Sequence, residues 1–139
     1  MKAKIISREK LLSKNPCYDP IKLGMVDSGE IDIVQFLIKS FPNQKNTFDW
    51  VWLINSNEYL SESEMNDFNN WCLSDAEKIV GENNILLDVV YRYRNKNTEN
   101  ASFLLSVHVR YCSKAIFNVT KENFSSISKR YMDKVIEYL

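Results

Sequence analysis

The sequence predicts a mainly α fold, a single domain over residues 1–139 built from about six or seven helices. Three observations carry that expectation. Apolar residues recur at spacings of three and four through most of the chain, as on one face of a helix. Only 3 Gly and 3 Pro interrupt it, which leaves few places for long irregular loops. Apolar content of 45% and charged content of 26% are those of an ordinary globular domain, long enough to bury a core without staples.

Each element has its own signal. Ser7 is read as the N-cap of a short helix over 8–14, stopped by the Asn15-Pro16 pair. "CYDPIKLGM" adds a turn or two. Ser28 precedes "GEIDIVQFLIKSF", whose Ile33, Phe36, Leu37 and Phe41 keep helical spacing up to Pro42. Thr47 is a cap for "FDWVWLI" at 48–54, which is apolar at every position but Asp49. On a helix Phe48, Val51, Trp52 and Asn55 share one face, while Trp50, Leu53 and Ile54 lie on others. Such a stretch reads as core packed on several sides, with Asp49 in the first turn where the helix dipole favours an acid. Trp50 is the tryptophan expected to reach a surface. Ser61-Glu62-Ser63-Glu64 is a capping box. It opens a long helix with Met65, Phe68, Cys72, Ala76, Ile79 and Val80 on one face, ended by Gly81.

The segment 84–117 fits two templates. Leu105, Val107, Val109 and Tyr111 alternate with Ser106, His108 and Arg110, and Val89, Tyr91 and Tyr93 alternate less cleanly. The α+β alternative is therefore a β-hairpin at about 85–94 and 103–112. Against it, Asn84, Asp88, Arg92 and Asn95 form a polar stripe at helical spacing. So do Ser102, Ser106, Arg110 and Ser113, opposite Ala101, Leu104, Leu105, Cys112, Ala115 and Ile116. The helical template covers more residues and is preferred, with Thr98 as an N-cap. Thr120 is read as the cap of the last helix, whose inner face is Phe124, Ile127, Tyr131, Val135 and Tyr138.

No segment approaches the ~18–20 apolar residues of a membrane helix. The opening "MKAKIISREKLLSK" lacks the apolar stretch of a secretory signal. Three well-separated cysteines, Cys17, Cys72 and Cys112, fit reduced thiols. The expected location is the cytoplasm, with no membrane partner. There is no Gly-rich phosphate loop, no HExxH and no GxSxG. The chain is accordingly read as non-catalytic, without cofactor or metal. An enzyme would have to be built around the only histidine, His108, with Cys112 one helical turn on. A zinc set would need Cys17 and Cys72 as well, and no CxxC spacing hooks them.

Net charge is zero but segregated. From Glu58 to Asp88 there are eight acids against Lys78 alone; from Arg92 to Lys134 there are nine bases against three acids. Either the two runs pack together and neutralise each other, or the acidic run is a face for a basic partner. The expected contact residues are Glu58, Glu62, Glu64 and Asp67, with Tyr59 as aromatic anchor. The expected partner is a protein, such as a nuclease or defence effector with a basic surface. The alternative is nucleic-acid binding. "YRYR" at 91–94 interleaves stacking rings with cations, so Arg92 and Arg94, joined by Lys129 and Arg130, would carry it.

"ISREKLLSKNPCYDPIKLG", "FDWVWLINS" and "FNNWCLSDAEKIV" together resemble a loose group of small, mainly helical bacterial and phage proteins, some of them called immunity proteins. The matching positions are Cys17, Trp50, Trp52, Leu53 and Cys72. "WVWL" departs from the group's wider tryptophan spacing, and the second half matches only as another helix pair. These are packing positions, so the resemblance speaks for a helical fold and hardly for activity. Together with the clustered acids and the lack of catalytic motifs, it leads to the expectation of an inhibitory binding protein, an immunity protein or a phage anti-defence inhibitor.

Overall fold

A computed structural model describes residues 5–7, 30–43, 48–54, 59–96 and 100–139. The expected helix over 8–14, the turns through 17–25, Ser28, and the caps Thr47 and Thr98 lie outside these. The chain groups into two units, Met1–Trp50 with Leu139 and Val51–Tyr138.

In the first unit β1 (Ile5–Ser7) pairs antiparallel with β2 (Glu30–Asp32), Ile6 opposite Ile31. Ile6 is buried and Ile5 exposed, the period-two alternation of a half-buried strand. Ser7 is thus a strand residue opposite Glu30, not a helix cap. Asp32 turns the chain from strand into α1 (Ile33–Ser40). Its Oδ1 accepts from the Val34 N–H at 2.9 Å and the Gln35 N–H at 3.2 Å, so the helix starts there and not near Ser28. α1 buries Ile33, Phe36 and Leu37 as their spacing predicts, and a 3-10 turn containing Pro42 follows. The next helix, α2 (Asp49–Ile54), has Asp49 and Trp50 in the first unit and Val51–Ile54 in the second, with Leu53 and Ile54 buried. Trp50, expected at a surface, is only 1% exposed. An apolar run of this density buries its indole along with its aliphatics.

The second unit contains α3 (Glu62–Val80), α4 (Ile85–Asn95), α5 (Ala101–Thr120) and α6 (Phe124–Ile136). Both segments of the hairpin alternative are helical. The mainly α class holds, but only five of the described helices, α1 and α3 to α6, reach eight residues. Among the described residues the expectation of six or seven overcounted, because 48–54 makes only a six-residue helix.

The capping box forms: the Glu64 N–H donates to Ser61 Oγ at 3.1 Å and the Ser61 N–H to Glu64 Oε1 at 2.8 Å. Gly81 ends α3 at φ 83°, a conformation that suits glycine. The other three helices are capped by asparagine. Asn84, Asn100 and Asn123 accept from Leu86, Phe103 and Ser125 at 2.9, 2.8 and 2.7 Å. Thr120, expected to cap α6, is instead the last residue of α5. Its hydroxyl donates to the Ile116 carbonyl at 2.8 Å.

α5 packs against α3, α4 and α6. It buries Ala101, Leu105, Val107, His108, Val109, Cys112, Ser113, Ala115 and Ile116. α3 presents Met65, Phe68, Asn69, Cys72, Leu73 and Ala76 to the interior. Ile79, expected on that face, is 37% exposed, since packing runs out a turn before the helix does. α6 buries Ile127, Tyr131, Met132 and Val135. The Trp71 and Tyr131 rings meet edge-on at 5.6 Å. Tyr131 is fully buried, and its hydroxyl has no hydrogen-bond partner among the described residues. No helix of the described residues is long and apolar enough to cross a membrane.

Two stability outcomes follow, both measurable as shifts in the urea-unfolding free energy. Leu105→Ala, at the contact of α5 with its neighbours, costs about 2–5 kcal/mol. Tyr131→Phe removes a buried hydroxyl with no partner among the described residues, so stability holds or rises by about 1 kcal/mol; a clear loss would mean that the hydroxyl is bonded.

Candidate functional site

A polar recess opens between α3, α4 and α5. Asn66, Asn69 and Asn70 share one face of α3, because positions three and four apart are neighbours on a helix. Arg94 comes from the last turn of α4, and Leu104 and His108 lie one turn apart on α5. Together they line a cavity of about 350 Å³.

Arg94 is fixed from two sides. Its Nη2 donates to Asn70 Oδ1 at 2.7 Å, and its Nη1 lies 3.1 Å from His108 Nε2. A guanidinium can only donate, so Nε2 must be the accepting, unprotonated nitrogen. The ring proton then sits on Nδ1 and is donated to the Leu104 carbonyl at 2.6 Å. Burial pushes the His108 pKa down to about 4; the Leu104 bond works against this shift and the Arg94 charge adds to it. Both ring nitrogens are engaged, which leaves His108 no lone pair for general-base work on a bound molecule.

Sequence reasoning singled out none of the three asparagines, and Asn69 is the buried one. It is 2% exposed. Its Nδ2 donates to the Ala101 carbonyl at 3.4 Å, while its Oδ1 has no partner among the described residues. The available signal was a carboxamide placed on the apolar stripe of α3, between Phe68 and Cys72.

Cys112, one turn beyond His108, is fully buried, as is Cys72. Burial pushes both thiols up, Cys112 to about 12. They behave as small apolar side chains. Cys17 is outside the described residues. Among the described residues no three of His, Cys, Asp and Glu come together to hold a metal ion.

The expected partner-binding residues are only partly brought together. Glu58 is outside the described residues. Tyr59 is 3% exposed, so it is a core residue and not a surface anchor. Glu62 and Asp67 are exposed on the first two turns of α3, and Glu64 is half-buried by its capping role. Glu64 and Asp67 neighbour each other at a spacing of three, whereas Glu62 lies roughly 140° round the helix from Asp67. The acids encircle the start of the helix and do not form one flat face. Among the described residues none of the three is in an ion pair.

The basic set is mostly committed to internal partners. Arg94 points into the recess. Arg130 pairs with Asp75 of α3, both half-buried. Lys129 bonds Asp133 at 2.6 Å along α6. Arg92 alone of the four is exposed without such a bond among the described residues. The tyrosines of "YRYR" are also occupied. Tyr93 packs on Phe103 at 5.5 Å. Partial burial, then the neighbouring Glu77 carboxylate, raises the pKa of Tyr91.

Comparison with known proteins finds no matching family model, no matching curated protein and no matching solved structure.

The state of His108 sets a pH dependence. Its folded pKa of about 4 lies below the ordinary 6.5, so between these values the unfolded chain binds the proton and the folded chain resists it. This contribution to stability is whole above the unfolded pKa. It is lost as pH falls toward the folded one, on the order of 3 kcal/mol in all. In urea titrations at neutral pH and near the folded pKa, His108→Gln loses less stability on acidification than the wild type, by about 2 kcal/mol. Equal losses would contradict a buried neutral imidazole.

Proposed function

We propose that the chain is a non-catalytic binding protein that neutralises another macromolecule, in the manner of an immunity protein or a phage anti-defence inhibitor. It would act by setting the acidic start of α3 against a basic protein surface, such as the groove of a nuclease or defence effector. The observation that carries this reading is the exposure of Glu62 and Asp67 with no ion pair among the described residues. Uncompensated charge at one end of a helix steers a cationic partner and fixes its orientation. Two further observations support it. Three of the four cations of the nucleic-acid reading, Arg94, Lys129 and Arg130, are already engaged within the protein, and the only histidine has both nitrogens bonded. The resemblance to small helical immunity proteins points the same way.

Capture of the partner from host cells by the tagged protein, followed by titration of the isolated pair, tests the reading. The double reversal Glu62→Lys with Asp67→Lys weakens binding at least about tenfold and flattens its salt dependence. Glu64 is left in place so that the capping box survives. Unchanged affinity would move the interface elsewhere.

A further inference from the structure

The geometry points to the recess between α3, α4 and α5 as a binding site for a small phosphate monoester that also carries hydroxyl or amide N–H donors, the chemistry shared by sugar phosphates and nucleoside monophosphates. The recess adjoins the acidic start of α3 at Asn66 but is lined by none of its acids, so a failure to bind ligand here would leave the proposed macromolecular partner untouched.

Four features define the ligand. The first is Asn69 Oδ1, a carbonyl oxygen on a side chain 2% exposed, lining the recess and lacking a partner among the described residues. Buried carbonyls in folded proteins are normally bonded, so the ligand must bring a donor to it. The second is Arg94. Of its five N–H donors, two are spent on His108 and Asn70, leaving three for a planar or tetrahedral oxyanion. Because both bonds hold the fork in place, little side-chain freedom remains to be lost on binding.

The third feature is charge. Among the lining residues Asn66, Asn69, Asn70, Arg94, Leu104 and His108 there is no carboxylate. An ammonium group would enter without a counter-ion, which disfavours amino acids and amines. A phosphate would meet Arg94, and the donor for Asn69 must then be neutral, an O–H or an amide N–H. The fourth is size. A volume of about 350 Å³ lies at the lower end of small-ligand sites, roughly 300–1,000 Å³, and matches a monoester better than a polymer. His108 does not touch the ligand in this arrangement. It is a positioning residue in the recess wall whose Nε2 holds one arm of the Arg94 fork.

The test uses the full chain with ribose 5-phosphate, uridine 5′-monophosphate and inorganic phosphate as probes, followed by NMR at the asparagine carboxamide and arginine Nε resonances. At least one ester produces saturable shifts at Asn69 and Arg94 with a Kd below about 1 mM. Inorganic phosphate binds at least tenfold more weakly, because it reaches Arg94 but offers nothing organic to span the distance to Asn69. Asn69→Leu lowers ester affinity at least tenfold while the thermal midpoint holds. Should that variant fail to fold, Asn66→Ala at the exposed rim replaces it and weakens binding several-fold. The assignment is overturned if neither ester saturates, if inorganic phosphate binds as well as both esters, or if the folded variant binds as the wild type does. In the first case Asn69 Oδ1 is met by water alone.

Discussion

Burial of α5 on three sides is the constraint on which the Val51–Tyr138 unit depends. A helix packed by α3, α4 and α6 leaves Arg110, Lys114 and Asn118 to solvent but buries Ser113 and His108. These two must find partners at short range. Ser113 donates to the Arg110 carbonyl at 3.0 Å and His108 to that of Leu104, both within the same helix. The second nitrogen of His108 has no such recourse and takes a donor from α4. Arg94, once drawn inward, uses its other arm on Asn70 of α3. One histidine on the central helix thus leads to a run of hydrogen bonds that joins three helices, and the recess is the space around that run.

The same burial explains where sequence reasoning met its limit. Val107, His108 and Val109 are buried in succession, which no single helical face allows. The segment consequently carried a strand-like alternation alongside its helical stripe. α3, apolar on one side only, showed its capping box, its inner face and its glycine stop plainly. The asparagine-rich joints were visible as punctuation, but Asn100 and Asn123 took the caps assigned to Thr98 and Thr120, in keeping with the stronger capping tendency of asparagine. The β1–β2 pair was not legible. Three residues in each strand give almost no periodic signal, and their pairing joins distant parts of the chain. In the recess, the asparagines and Arg94 were each in plain view, yet their convergence depends on tertiary packing.

Segregated charge survives folding to a large extent. Asp75 with Arg130 is the point at which the acidic run of α3 meets the basic run of α6 as an ion pair among the described residues. The pairs Lys129–Asp133 and Lys134–Glu137 lie within the last helix and its cap. Exposed pairs of that kind contribute about 0–1 kcal/mol. They trim the basic run locally, and among the described residues Glu62 and Asp67 at the start of α3 are in no ion pair.

The two buried cysteines make the protein its own reporter of opening. Cys72 and Cys112 sit on α3 and α5, the most closely associated pair of helices, and their thiols are shielded and held protonated. An alkylating reagent reacts with thiolate and needs access, so in the native state these sulfurs are silent. They become reactive only when the packing of α3, α5 and their neighbour α6 opens. The slow labelling of these two positions under native conditions is therefore a clock for the rarest, most global fluctuation of the fold. It reads the free energy of opening the helical core without denaturant.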